Sequence, residues 1–365
     1  MMQPAHPPAP DLDPLDRRLL DFAQAGIPIL QRPWDGIAAE LKTTPAQIVA
    51  RIERLLQAKV IRQIAPIYDT RAMGYSSVLV AARVDEARIN QAAAVVSAHP
   101  GVSHNYRREA PFNLWFTLAT PPGQNLDTIL AQLAQAAGFE RYRALPVLRT
   151  YRIGVQLAMS EDEESPLPGA PGRGPGEGSS SANSNLKSEI SHPPTLTDFD
   201  QRIIRLTQNN LPLAEQPFDP WCDALGLSFT DFRGWMQRMQ QAGVLRRIAA
   251  ILHHRRVGYT ANGMGIWRIP PERGPQVIEQ AGRLMAGFPQ VTHCYERQVY
   301  EDWPYNLYTM IHARSQETCL QVVEAIARTL VPIAGQVEHQ VLFSTVEYKK
   351  ARLRYFEESP PPEKG

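Results

Sequence analysis

The chain has 365 residues, with 38 basic against 37 acidic side chains and a net charge of +1. That length holds two to four domains with cores of their own, and the charge balance removes the simplest argument for a nucleic-acid binder. Three cysteines without a C-x-x-C pair argue against a disulfide framework or structural zinc. With no apolar run of membrane-spanning length and no secretory signal, they point to the cytoplasm.

In chain order, residues 1–11 are rich in Pro and Ala and are expected to be disordered. Residues 12–70 read as a winged helix-turn-helix. An amphipathic segment from Asp16 and a short helix around Trp34 to Leu41 come first. Thr44-Pro45-Ala46-Gln47 is a capping-box pattern with Pro at the first helical position. Ile48, Val49, Ile52, Leu55 and Leu56 follow at helical spacing, and Val60 to Tyr68 is extended. Residues 71–159 alternate strand and helix in the order βαββαβ, which is ferredoxin-like. The strands are expected at Val78 to Ala82, Val102 to Arg108, Phe112 to Ala119 and Leu145 to Ile153. Residues 160–196 pass from Glu161-Asp162-Glu163-Glu164 through a Pro/Gly run to Ser179-Ser180-Ser181 and read as a disordered linker.

The scheme then repeats. Residues 197–254 read as a second helix-turn-helix, 255–356 as a second ferredoxin-like domain, and 357–365 as a tail. Asp16 matches Asp200, an offset of 200 − 16 = 184, and Gly74-Tyr75 meets Gly258-Tyr259 at the same offset. The expected fold class is α+β, a tandem duplication of winged helix-turn-helix plus ferredoxin-like βαββαβ domain. Two such modules can pack as a pseudo-two-fold pair within the chain, the geometry a homodimer would use.

Strand alternation puts every second side chain on one face. His104, Tyr106 and Arg108 therefore share a face, as do His293, Tyr295 and Arg297. Three polar groups in line need partners or water. Histidine can deliver a proton near neutrality, arginine grips carboxylates, and tyrosine offers an aromatic face with a donor. This suggests acid catalysis on an anionic substrate. A duplicated structural histidine would leave the same trace. Arg107 lies on the other face of its strand, and Trp303-Pro304-Tyr305 follows the second motif. His254, in the connector, and His339, at the start of the last strand, are weaker candidates, and His312 ranks below both. No P-loop, dinucleotide fingerprint, H-E-x-x-H or nucleophile elbow occurs. No metal site and no added cofactor are expected.

The helix-turn-helix units are expected to be structural or interaction modules rather than DNA readers. Their presumed recognition helices carry Arg51 and Arg54 in one repeat, Arg233 and Arg238 in the other. Their starts lack the exposed Arg, Asn or Gln of a major-groove reader, and Phe229 and Trp235 suit packing.

This layout resembles the Lrp/AsnC superfamily, and the strand sequences resemble siroheme decarboxylases more narrowly. Val291-Thr292-His293-Cys294-Tyr295-Glu296-Arg297 and Asp302-Trp303-Pro304-Tyr305-Asn306-Leu307-Tyr308-Thr309-Met310 look like one subunit type of that family. Val102-Ser103-His104-Asn105-Tyr106-Arg107-Arg108 with Phe112-Asn113-Leu114-Trp115-Phe116-Thr117 resembles the other. Phe343 to Lys350 also fits. The connector reads His253-His254 where the family's usually reads Asn-His. The resemblance implies a fusion of two subunits that takes siroheme as substrate. It implies removal of the carboxyl groups of the C12 and C18 acetates, giving 12,18-didecarboxysiroheme for haem d1 or another haem. His293, His104, Tyr295 and Tyr106 would then be catalytic. Arg297, Arg108, Arg107, Arg149, Trp303, Tyr305, Asn306, His339 and His254 would bind substrate. The iron tetrapyrrole would be its own cofactor, and other haem d1 biosynthesis proteins are conceivable partners. The competing reading is a ligand-responsive regulator, and a third is a haem carrier.

Overall fold

The computed structural model describes residues 11–154, 157, 159 and 194–357. The segments expected to be disordered lie outside the described residues, except for Asp11, residues 194–196 and Glu357.

In the first repeat, α1 (Pro14–Ala25), α2 (Pro33–Glu40) and α3 (Pro45–Gln57) form the helical unit, followed by β1 (Ile61–Tyr68). Each helix opens near a Pro, whose fixed φ suits the first turn and whose missing N–H has no partner to lose there. Asp13 and Asp16 form a full capping box on α1, and Thr44 caps α3 by accepting from the Gln47 amide at 3.3 Å. There follow β2 (Ser76–Arg83), α4 (Ile89–Ala98), β3 (Val102–Arg108), β4 (Leu114–Thr120), α5 (Leu126–Ala137), β5 (Arg141–Leu145) and β6 (Val147–Ile153). The second repeat opens with α6 (Asp198–Thr207), α7 (Asp219–Leu225), α8 (Phe229–Gln241) and β7 (Leu245–Leu252). It continues with β8 (Ala261–Arg268), α9 (Pro275–Ala286), β9 (Val291–Arg297), β10 (Leu307–Ala313), α10 (Gln316–Ala334) and β11 (Glu338–Lys350). Gly74 and Gly258 close matching turns at φ 81° and 90°, where a side chain would be strained.

The expected βαββαβ order holds in both repeats, with one refinement. The first domain's last strand is two strands, β5 and β6, parted at Pro146, which has no N–H for a ladder. The extended segments expected after the two helical units are present as β1 and β7. β1 and β7 pair with each other, antiparallel, with Ala65 opposite Ala249. Each strand buries apolar side chains such as Ile64 and Ile248, and each edge needs a ladder partner, which the homologous strand supplies. The two helical units thereby share one core, where Leu19, Trp34 and Ile52 join Ile203, Phe218 and Phe232.

The other strands form one ladder in the order β5-β2-β4-β3-β11-β8-β10-β9-β6. Its two end strands, β5 and β6, are joined by Pro146 alone, so the ladder curls back on itself. Each repeat lends its last strand to the other. β6 pairs with β9, while Ser344 to Lys350 of β11 pairs with β3 and Glu338 to Phe343 stays on β8. The inner faces of the two halves meet over Phe112, Trp115, Ile266, Trp303, Tyr305 and Tyr308. The helices of each ferredoxin-like domain cover the outer faces over separate cores. Among the described residues no helix is long and apolar enough to cross a membrane.

Candidate active site

The pleat of β3 sends Asn105 outward, where it donates to the Ala93 carbonyl of α4 at 3.0 Å. His104, Tyr106 and Arg108 are left on the inner face. On β9 Cys294 faces outward to the Gly282 carbonyl of α9, and His293, Tyr295 and Arg297 face inward. The His and Tyr ring centroids stand 6.1 Å apart in the first set and 5.9 Å in the second. Each guanidinium lies over its tyrosine, at 5.7 Å for Arg108 and 5.0 Å for Arg297. The two His-Tyr-Arg ladders expected from strand alternation are therefore present. A neighbouring hydroxyl engages Nδ1 of each histidine, Ser103 at 2.9 Å from His104 and Thr292 at 3.0 Å from His293.

The arginines at the foot of the ladders are deeply buried. Arg297 donates to the Leu145 carbonyl at 2.6 Å, and Arg108 donates to the Leu342 carbonyl. Burial lowers both pKa values to about 10, so both stay charged at neutral pH. Nε of each has no protein partner among the described residues, a cost of about 1–3 kcal/mol per group that a bound carboxylate would relieve.

Each ladder also draws arginines from both repeats. Arg255 and Arg62, the latter donating to the Lys350 carbonyl, lie within electrostatic reach of Tyr106, and Arg71 and Arg246, the latter paired with Asp69, within reach of Tyr295. Arg62 and Arg246 match at 246 − 62 = 184, and Arg71 and Arg255 at 255 − 71 = 184. Each ladder thus takes one of these arginines from its own repeat and one from the other. These four were missed in the sequence, although the repeat offset aligns them.

A histidine cluster joins the ladders. Lys350 Nζ lies 2.9 Å from Nδ1 of His254, whose ring meets that of His312 edge to face at 5.5 Å. Thr292 Oγ1 lies 3.0 Å from Nδ1 of both His312 and His293. His254 therefore belongs to the site, and His312, ranked lowest from the sequence, belongs as well. Alternation along β10 sends Leu307, Ile311 and Ala313 to the helix-facing core and carries Tyr308, Met310 and His312 to the ladders' face. Desolvation, with help from neighbouring cations, depresses these imidazoles. It takes His104 and His293 to about 4, His312 to about 3 and His254 lower still. Burial likewise lowers Lys350 to about 8. At neutral pH the site is a group of neutral imidazoles ringed by cations.

Six of the expected substrate contacts lie away from the ladders' polar groups in this structure. His339 stacks on Trp267 at 4.9 Å, in the helix-facing core on the opposite side of the sheet from the ladders. Arg149 pairs with Glu279 at 2.6 Å, and Arg107 pairs with Glu86 at 2.5 Å, each away from the inner face. Trp303 is buried between Phe112, Trp115 and Tyr305 and donates to the Tyr308 hydroxyl at 2.8 Å, so it fills the inter-sheet core. Tyr305 is buried beside it and donates to Glu338 at 2.9 Å. Asn306 bonds both backbone groups of Ile269, as Asn113 bonds those of Val84, a matched structural clasp.

The cavity beside Tyr106, Arg255 and Glu347 holds about 30 Å³, room for one water. A macrocycle must displace its walls to enter. A larger hollow of about 620 Å³ lies between α1 and α3, lined by Asp13, Asp16, Arg51 and Arg54. It contains no histidine, and its ion pairs close on each other. We place the site at the ladders, where the titratable groups converge. Arg51 is held by Asp13 and Asp16, both at 2.7 Å, and Arg54 by Asp16 at 2.5 Å. In the second unit Trp235 is buried and donates to Asp200.

Helix-turn-helix units joined through one strand each, over ferredoxin-like domains with inward polar ladders, define a duplicated Lrp/AsnC-type ligand-handling chain. Residues 72–152 and 256–349 match the AsnC-like ligand binding domain, and residues 16–62 and 200–246 match the siroheme decarboxylase NirDL-like HTH domain. The chain belongs to the siroheme decarboxylase family. It is 36% identical to the siroheme decarboxylase of Hydrogenobacter thermophilus, across 93% of this chain and 95% of that one. It is 39% identical to the siroheme decarboxylase beta subunit of Methanosarcina barkeri, across 42% of this chain and 97% of that subunit, as a fusion of two subunit types requires. The crystal structure of the siroheme decarboxylase NirDL in co-complex with an iron-uroporphyrin III analogue superposes with a TM-score of 0.69. It is 32% identical and covers 94% of this chain and 95% of that one.

Proposed function

We propose that this chain decarboxylates siroheme, acting as a carboxy-lyase on the C12 and C18 acetates to give 12,18-didecarboxysiroheme on the route to haem d1. The observation that carries this reading is the pair of inward His-Tyr-Arg ladders, each ringed by arginines of both repeats. Such a ring suits a flat polycarboxylate. The arginines hold peripheral carboxylates and turn the macrocycle. An acetate kept in a drier spot gains by losing its charge as carbon dioxide. A ladder histidine supplies the proton that replaces it. Burial pushes the Tyr106 and Tyr295 phenols up, so they remain donors beside the imidazoles. No cofactor beyond the iron tetrapyrrole enters this scheme.

The regulator reading needs basic side chains free to meet DNA, and in the first helical unit Asp13 and Asp16 occupy Arg51 and Arg54. The deciding experiment is mass spectrometry of siroheme after anaerobic incubation with the purified chain. Two successive losses of carbon dioxide are expected, and an unchanged mass refutes the reading.

A further inference from the structure

The two ladders are connected by two matched routes, and only one of them is polar. On the polar route His293 meets Thr292, Thr292 meets His312, His312 meets His254, and His254 meets Lys350. Lys350 stands opposite His104 in the β3–β11 register. On the matched route each titratable group is replaced. His312 corresponds to Ala119, since their amides bond the equivalent carbonyls of Gln290 and Gly101. His254 corresponds to Thr70, whose carbonyls accept from Tyr259 and Tyr75 in the same turn. Lys350 corresponds to Ile153, which stands opposite His293 in the β6–β9 register. Beyond His104, then, Ser103 leads only to an alanine.

Packing does not explain this asymmetry. Ala, Thr and Ile occupy the same backbone positions in the other half. Burying three titratable groups instead costs desolvation, visible in the lowered affinity of each for its proton.

We propose that Lys350, His254, His312 and Thr292 form a proton line ending on His293, which makes the His293 ladder the one that protonates the substrate carbon. The proposal rests on the decarboxylase reading. In each step the C–C bond of an acetate breaks and carbon dioxide leaves. The electron pair stays on the tetrapyrrole side, and a C–H bond forms with the Nε2 proton of His293. Nδ1 of His293 takes the Thr292 hydroxyl proton as Thr292 takes one from Nδ1 of His312. Lys350, half-buried at the end of β11, makes good the loss from solvent through His254, whose ring turns out of its edge-to-face contact to hand the proton to His312, and a turn of the His293 ring resets the line. The net change is one carboxylate and one proton converted to C–H and carbon dioxide. Lys350, His254, His312 and Thr292 are positioning residues that act through His293.

The test compares the full chain with His312→Ala, Thr292→Val and Thr292→Ser, measuring kcat and the Kd for siroheme. In His312→Ala and Thr292→Val, kcat should fall about 10- to 100-fold while Kd stays within about twofold. Added imidazole should restore His312→Ala, and Thr292→Ser should regain most of what Thr292→Val loses. A simple packing role would not respond to imidazole or to the returned hydroxyl. The proposal is overturned by wild-type kcat in either disrupted variant. It is equally overturned by a loss that follows siroheme affinity, or one that neither imidazole nor serine repairs. A wild-type chain that leaves the mass of siroheme unchanged defeats the decarboxylase reading itself, so the two failures are distinct.

Discussion

Arg297 crosses from the second repeat to donate to the Leu145 carbonyl of the first at 2.6 Å, and Arg108 returns the contact to Leu342. Leu145 precedes Pro146, where the first repeat's last strand leaves its own sheet. Leu342 stands just before Ser344, where β11 does the same. The foot of each ladder thus pins the strand that the other repeat lends. Site and pairing of the repeats are one construction.

Removing that pin should be felt in both. Arg297→Ala strands the Leu145 carbonyl and is expected to cost about 1–3 kcal/mol. Arg297→Lys should recover only part of it, because a point charge cannot copy the planar fork. Urea unfolding of the purified variants reads this as a lower midpoint, and an unchanged midpoint in Arg297→Ala would remove the pin from the account.

The ladders were legible because strand alternation is local, and His-x-Tyr-x-Arg needs only a period of two. The aromatic block around Trp303 was read as a substrate wall because its residue types suit a macrocycle. Whether such a block faces a ligand or another sheet depends on how the repeats pair, which alternation within one strand does not encode. Tyr305 and Asn306 bond Glu338 and Ile269 of their own repeat, contacts set by which strands of that domain lie side by side and not by residue type. His339 was misplaced because β11 serves two sheets, and its early part turns that side chain to the helices. His312 stands two residues beyond Met310, so the same alternation already placed it on the ladder face and the low rank overlooked that. Arg62 and Arg246 sit on β1 and β7, and Arg71 and Arg255 in the turns that follow, so long-range strand pairing brings them to the ladders.

The core reading of the Trp303 block has a direct consequence. Trp303→Ala opens a cavity between the sheets and should cost about 3–5 kcal/mol. At a temperature where the variant stays folded, its Kd for siroheme should match the wild type. Thermal unfolding paired with siroheme titration checks this, and lost affinity in a fully folded variant would return Trp303 to the substrate wall.

Stability should fall in mild acid. His104 and His293 hold protons with pKa values near 4 and His312 near 3, each depressed chiefly by desolvation, against about 6.5 in the unfolded chain. Between those values the unfolded state binds more protons. The contribution is fully present above about pH 6.5 and is lost as pH falls through 4 toward 3. For each histidine it is on the order of 3–5 kcal/mol. The urea midpoint should drop between about pH 7 and pH 5, and less so in His312→Ala. An equal drop in that variant would mean that His312 does not contribute.

The same depressed values make substrate binding a protonation event. An imidazole with a pKa near 4 is neutral at pH 7, so His293 can give its one ring proton only as Thr292 returns one to the other nitrogen. A bound polycarboxylate reverses the local field, since anionic groups beside an imidazole favour its charged form. Siroheme binding near neutral pH should therefore take up protons, with His293 among the acceptors. Calorimetric titrations in buffers of different ionisation heat would show this as a binding enthalpy that changes with the buffer. In His293→Ala the uptake should shrink by a fraction of a proton, and turnover should fall about 100- to 10,000-fold while siroheme still binds. A buffer-independent enthalpy in the wild type would mean that the histidines stay neutral in the complex. His293 would then act from its neutral form, resupplied at Nδ1 through Thr292.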